Sequence, residues 1–529
     1  MVVVWFKRDL RIADHAALIQ AQQQAQRADE PLVGLYCIEP ELLIGADGAL
    51  RHYQCVYPAL CWLQRQLAAR NINLLIETNS ALTALARLHQ VRGISALFSH
   101  QETSNALGFA RDQAVGCWVS AQSIRWEQPL QAFVQRNLRT RNNWAQHWAA
   151  FMAESLWPEP GCMPNENRNV LADRLCAPPR PSLLAQQLGL ATRLGVFTPR
   201  SPLWQIAPPD ALHLLHSFLY HRGRDYRRAM SYPAKAVNQC SRLSAPLAVG
   251  SLSNRQVYQY AQQARYEHQQ AGRGYWVKSI DSFISRLAWR EHFTQKLEQW
   301  PQIEYQPMHS ATEGLRPAQP DHPHLIAWQQ GQTGWPLVDA CMRCLQQTGW
   351  LPFRMRAMLV SIITFPLFQD WRLAGKHLAR LFADYEPGIH YPQLQMQSGT
   401  TGINALRVYD PTKQAQRLDA DGAFIRDFLP ELRTVPSSFI HQPWRMPTAM
   451  QSRCGVLIGQ DYPAPLVDFA RAARHARSRV AQCYRSDQAR AESQQVYAAL
   501  GSRDKQRRRP RRKPVRAGRG DSHHQLSLF

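Results

Sequence analysis

The chain of 529 residues carries 62 Lys and Arg against 39 Asp and Glu, a formal net charge of +23, with 45% hydrophobic and 10% aromatic residues. That length exceeds what one core supports, so two or three domains are expected, and the basic excess points to a polyanionic partner such as nucleic acid. Eleven cysteines without framework spacing argue against a disulfide scaffold and for a reducing cytoplasm. No apolar run reaches the roughly 18 residues of a membrane span, and Lys7 and Arg8 end the first apolar stretch too early for a signal peptide.

Val2–Phe6 (VVVWF) reads as a buried strand, and Asp14 is placed to cap the helix that follows. Pro31–Ile38, Asn73–Ile76 and Ile94–Ser99 read as further strands, separated by helices over Arg51–Arg70 and around Leu82–His89. This alternation predicts an α/β domain with a doubly wound parallel sheet over residues 1–136. No GxGxxG follows the first strand, so a dinucleotide is not expected there. Residues 137–209 are irregular and Pro-rich and read as a connector, and residues 210–500 show helical periodicity almost throughout, predicting a larger all-α domain. Residues 501–529, with ten Lys and Arg against two Asp, read as a disordered basic tail.

Thr348–Asp410 concentrates the chemistry. Arg354 and Arg356 stand beside Trp350 at the head of an apolar run, and Asp384, Glu386 and His390 follow. Arginines entering a buried helix need partners, because an unpaired buried charge costs several kcal/mol, and the acidic pair is the candidate. Arginine, carboxylate and aromatic side chains converging on one buried place suit a planar cofactor with polar edges. Two further stretches belong to the helical half. One joins Tyr220, Arg224 and Asp225 to CSRLS at Cys240–Ser244, whose serines either cap a helix or offer hydroxyl and N–H groups to a phosphate. The other is Trp289-Arg290-Glu291, at the end of an aromatic helix containing Trp276 and Phe283.

These motifs occur in one order: VVVWFKRDLRIADHAAL, CSRLS, WRE, a Trp328–Ala340 segment, TGWLPFRMR and RVYDPTKQ with FIRDFLPEL. Together they resemble the photolyase/cryptochrome family over nearly the whole chain. The resemblance implies FAD in the helical domain, with Tyr220, Arg224, Ser241, Leu243 and Ser244 toward its phosphates and Phe283 and Arg290 in its pocket. It makes Arg356 and Asp384 the pair beside the isoalloxazine, puts Glu386 where a second aspartate is usual, and puts His390 near flavin N5. It further implies a light-driven lyase that splits ultraviolet lesions in DNA, with Trp289 stacking on a flipped lesion. A cryptochrome-like blue-light photoreceptor without repair is the alternative, and a light-independent FAD-bearing DNA-binding protein is a third reading.

Departures from the family pattern leave the lesion open. Arg286 stands at the usual acidic base-reading position and Phe353 at a usual Asn, so a cyclobutane dimer and a six-four photoproduct are both candidates. Of the tryptophan relay that reduces the flavin, Trp371 matches the middle member, while Leu394 and a site near Ala318 replace the others. Tyr391 and Trp350 offer another route. Gly108 falls where folate-binding members carry glutamate, so folate is disfavoured and the antenna chromophore, if any, is unidentified. An iron–sulfur cluster would need Cys341, Cys344, Cys454 and Cys483; two cysteines in one helix read more simply as small core residues, so no metal is expected. Gln525–Phe529 (QLSLF) resembles the bacterial sliding-clamp binding pentapeptide, on a chain otherwise expected to be a monomer bound to ultraviolet-damaged DNA.

Overall fold

The computed structural model describes residues 1–138, 140–189 and 206–502. The basic tail and QLSLF therefore lie almost wholly outside the described residues, as does part of the connector.

Five parallel strands form the N-terminal sheet: β1 (Val2–Phe6), β2 (Leu32–Cys37), β3 (Asn73–Glu77), β4 (Ala96–Phe98) and β5 (Arg125–Glu127), in the order β3-β2-β1-β4-β5. Every residue of β1 is buried, because helices cover both faces of the sheet: α1 (Ala16–Ala28) and α2 (Leu50–Ala68) on one, α3 (Ala81–Arg92) and α4 (Ala106–Ala121) on the other. A strand apolar on both sides gives the continuous run that the sequence displays. The edge strand β5 escaped sequence reading, since Arg125–Glu127 is a three-residue strand with a charge at either end.

Asp14 does not cap α1. His15 does, its Nδ1 accepting the Leu18 N–H at 3.0 Å. Asp14, held at φ 49°, instead accepts from Arg255 Nη2 at 2.8 Å and from the Ser253 hydroxyl at 2.5 Å, both in the helical half. It is thereby a bolt between domains. Beside it Arg8 and Arg11 donate to the carbonyls of Ala248 and Gly250 at 3.0 and 3.1 Å. Gly250 has φ +80°, and a Cβ there would sit 2.1 Å from the Arg8 carbonyl oxygen. Only glycine tolerates both conditions, so Gly250→Ala should destabilise the full chain by about 2–3 kcal/mol or more, read as a lowered denaturation midpoint.

The connector is less irregular than its composition suggests. A helix at Trp144–Ala153 buries Trp144 and Trp148 against the helical half, while Met163, Val170 and Leu184 pack on the α/β domain. The helices that position the site are α5 (Ser244–Val249), α6 (Asn254–Gln270), α7 (Gly274–Gln299), α8 (Pro336–Thr348), α9 (Phe353–Thr364), α10 (Trp371–Leu381) and α11 (Pro387–Ser398). α9 is the expected buried helix, with nine of its twelve residues buried from Met355 onward. Cys341 and Cys344 are core residues of α8, where burial pushes the Cys344 thiol up to about 12 and holds the Cys341 thiol well above its ordinary value. No described helix is long and apolar enough to cross a membrane.

Candidate functional site

α7, α9, α10 and α11 enclose a cavity of about 380 Å³, within the range of roughly 300–1,000 Å³ usual for ligand sites. One wall is the ion pair foreseen from the sequence. Arg356 donates twice to Asp384, at 2.9 and 2.8 Å, and its Nε donates to the Leu351 carbonyl at 2.7 Å. Its guanidinium lies 4.2 Å from the centre of the Phe382 ring. Burial alone would raise the Asp384 pKa, but the charge and hydrogen bonds of Arg356, with help from the Ser244 hydroxyl, hold it below the usual carboxylate range. This wall is a fixed, planar, charged fork.

Arg354 does not share in that pairing. It reaches Gln414 at 3.4 Å and faces outward. Glu386 is claimed instead by Arg290, at 2.6 Å, and by Arg8 of the N-terminal domain, at 3.3 Å. Arg8 was missed in the sequence reading, since nothing in its local pattern announces a partner that far along the chain. Its Nη2 also donates to the Tyr385 carbonyl at 2.7 Å.

His390 lines the cavity within α11, edge-on to the rings of Tyr385, Tyr391 and Phe382, and its Nε2 is 2.9 Å from the Gly375 carbonyl. Burial lowers its pKa to about 4, so at neutral pH it is uncharged, with Nε2–H donating to Gly375 and Nδ1 left as an acceptor. Its N–H is therefore already committed, and His390 does not offer the flavin a donor in this arrangement. Because the native imidazole binds fewer protons than the unfolded one between about pH 4 and 6.5, stability is lost as pH falls through that window. His390→Gln should remove that loss: its melting profile is expected to be flatter than the parent's by about 1.4 kcal/mol per pH unit there.

The remaining expectations divide. Ser241, Ser244, Arg286, Trp289 and Arg290 line the cavity. Tyr220 does not. Its hydroxyl donates to Glu267 at 2.9 Å on the outside of α6, and its near neighbour Tyr226 lines the cavity instead. Arg224 is exposed in a neighbouring surface hollow, the Leu243 side chain is fully buried in the core, and Phe283 packs against Phe218 and Tyr226 behind the cavity. Trp371 is buried at the start of α10 and is not among the lining residues; Leu394 is, and it packs on Gly375 one turn further along α10. Ala318 is exposed. Of the aromatic residues offered as another route, Trp350 lines the cavity, whereas Tyr391 is buried with its hydroxyl on Asp47 at 3.0 Å. Tyr385, which was not singled out, lines both this cavity and a hollow of about 190 Å³ between the domains.

At the mouth, the Arg286 guanidinium sits 4.3 Å over the Trp289 ring, and Phe353 is 44% exposed. Arg354 and Ser231 line the mouth and also an adjoining surface hollow, where Arg227, Arg228, Lys235, Lys278 and Arg417 gather with Tyr232 and Tyr275. A cavity holding a charged fork thus opens beside a strongly basic surface.

The family profile for the FAD binding domain of DNA photolyase matches residues 283–482, and that for DNA photolyase matches residues 2–135. The chain belongs to the photolyase/cryptochrome family. A deoxyribodipyrimidine photo-lyase of Alkalihalophilus pseudofirmus is 26% identical over 487 residues, covering 90% of this chain and 96% of the relative. One from Salmonella typhimurium is 29% identical over 487 residues, covering 89% and 96%. A solved Synechocystis cryptochrome shares the fold with a TM-score of 0.75 at 23% identity, over 90% of this chain and 98% of that one.

The cavity of this photolyase/cryptochrome chain fits FAD on its own chemistry. Gln393 Oε1, both polar ends of the Gln397 carboxamide and Arg242 Nε are buried without hydrogen-bond partners among the described residues, and all three side chains line it. Orphaned polar atoms in an otherwise packed interior need a polar occupant. Arg242, Ser241 and Ser244 would hold an anionic part of it, and Arg356 with Asp384 a polar ring edge. At the N-terminal domain, Gly108 lies against Ser104, whose hydroxyl oxygen a Cβ at Gly108 would approach to 2.2 Å, so a side chain there would require Ser104 to move.

Proposed function

We propose that the chain is a light-driven DNA-repair lyase that splits ultraviolet-induced pyrimidine lesions. The observation that carries this reading is the shared wall between cavity and basic hollow: Arg354 belongs to both. A photoreceptor working without DNA has no use for a cluster of Arg and Lys at the cavity mouth. Duplex phosphates would engage Arg227, Arg228 and Lys278, releasing counterions and orienting the strand over the opening. A damaged pair, already weakly stacked, costs less to extrude than a normal one and would be received by Trp289, which lines the cavity with Arg286 over its ring.

Bound and reduced FAD supplies the excitable electron donor. The chain's own residues bind and orient. Arg356, fixed by Asp384, keeps a positive charge at the wall that favours an electron-rich ring beside it. Arg286 over Trp289 offers a cation to a lesion carbonyl or phosphate, in place of an acidic base reader. The hollow between the domains, lined by Trp5, Phe6, Tyr36 and Tyr385, would be the place for an antenna chromophore other than folate. The deciding experiment illuminates oligonucleotides that each carry one defined lesion, a cyclobutane dimer or a six-four photoproduct, with FAD bound and reduced. Repair of one of them under blue light and not in darkness is expected, and loss of neither would overturn the reading.

A further inference from the structure

Three polar atoms without partners among the described residues sit on a single helix face that lines one cavity. Gln393 and Gln397 are four residues apart on α11, so their side chains project from the same side about 5–6 Å from one another. Gln397 is only 2% exposed, yet neither end of its carboxamide has a partner among the described residues, and Gln393 Oε1 is in the same condition. Their neighbour Gln395 points the other way and is fully engaged, donating to the carbonyls of Ile303 and Gln306 at 2.8 and 2.6 Å and accepting the Met308 N–H at 2.6 Å. The contrast shows that α11 satisfies a buried glutamine wherever protein groups are meant to do it. Leaving a buried amide unpaired costs about 1–3 kcal/mol, and two on one face call for a bound partner that offsets that cost.

A carboxamide displays a donor and an acceptor side by side, and its complement is a ring edge showing the same pair in reverse. We propose that Gln393 and Gln397 bind FAD by the polar edges of its heteroaromatic rings, with Gln397 making the two-point contact. This rests on the cofactor reading above. A nucleobase flipped from DNA carries the same edge chemistry, and depth favours the cofactor: Gln397 is buried beneath the mouth where Trp289 and Phe353 stand, and shares its helix face with the cavity-lining His390 and Leu394.

The test uses the full chain with Gln393→Met and Gln397→Met, which keep side-chain length and remove the amide. Three quantities are measured: FAD affinity by titration of flavin fluorescence, the position of the flavin absorption bands, and the melting temperature before and after FAD is added. Gln397→Met should weaken FAD binding about 10-fold or more and shift the bands, and Gln393→Met about 3- to 10-fold. Before FAD is added, both variants should melt at or above the parent, because an unpaired polar group has been removed; a merely structural glutamine would lower that melting temperature. FAD affinity and bands equal to the parent's would overturn the assignment. So would unchanged FAD binding with weakened binding of a thymine oligonucleotide, which would give the glutamines to the base. Failure of the parent chain itself to take up FAD would instead sink the cofactor reading beneath it.

Discussion

Asp384→Asn is expected to yield protein that folds less stably and retains little flavin. The side chain of Asp384 is 3% exposed and that of Arg356 24%, so the pair is mostly dry, and neutralising the carboxylate leaves a guanidinium with one carbonyl and an aromatic ring for company. Breaking a fully buried pair from one side costs about 3–5 kcal/mol. The partial exposure of Arg356 reduces that to about 2–3 kcal/mol here. The sign with pH is fixed by the depressed Asp384 pKa. Its contribution is complete above the ordinary aspartate range and disappears as pH falls through the lower native value, so parent and variant should converge in acid. The pair also sets the orientation of Arg356, so flavin content should fall more than the stability loss alone would explain. Flavin-to-protein absorbance after gel filtration, beside thermal melts at neutral and acid pH, checks both parts. Retention of full flavin would contradict the fork's role.

The second large effect separates attraction from recognition. Arg228→Glu combined with Lys278→Glu should weaken binding to damaged and undamaged duplex alike, by 10-fold or more, and should flatten the dependence on salt by about one log unit per log salt for each phosphate no longer engaged. Arg228 lies 5.1 Å from the Tyr275 ring and Lys278 shares the same hollow, so neither has a core role that the change would disrupt. Trp289→Ala should do the opposite. Losing one stacking surface costs about 1–3 kcal/mol, and only on a base that has left the duplex. Affinity for a lesion-bearing duplex should therefore fall toward that for the intact duplex, with the salt slope unchanged. Binding isotherms at three ionic strengths distinguish the two patterns. Equal losses from both variants on both substrates would remove Trp289 from lesion recognition.

How far the sequence could be read depended on the range over which each constraint acts. The β1 strand and the α9 helix were visible because burial on both faces writes itself into consecutive residues. Arg356 and Asp384 were visible because a charge that enters a core requires an opposite charge nearby, and few candidates were available. Arg8 as a partner of Glu386 was not, because that pair is made by domain docking and Arg8 looks locally like an ordinary surface charge. Tyr220 was named from the resemblance, and its cavity-lining neighbour Tyr226 was not singled out. A short π-helical segment at Phe218–Arg222 advances the chain by an extra residue in that turn, so simple helical periodicity no longer says which tyrosine faces inward. The unpartnered glutamines of α11 were invisible too, since a sequence does not reveal which polar groups lack partners.

The Glu386 clamp has a consequence for the history of the molecule as a folded object. One carboxylate at the rim of the flavin cavity is gripped by Arg290 from its own domain and by Arg8 from the other, and Arg8 also holds the Tyr385 backbone. The cavity is lined by the helical half alone, but the carboxylate at its rim is fully clamped only once the two halves have met. A ribosome releases residues 1–136 long before α11, so the first domain must wait, folded and with Arg8 unpaired, for the last wall of the pocket to arrive. The pocket is consequently finished late in synthesis, and a helical half expressed alone should keep all of its walls but lack the Arg8 cation that steadies its rim.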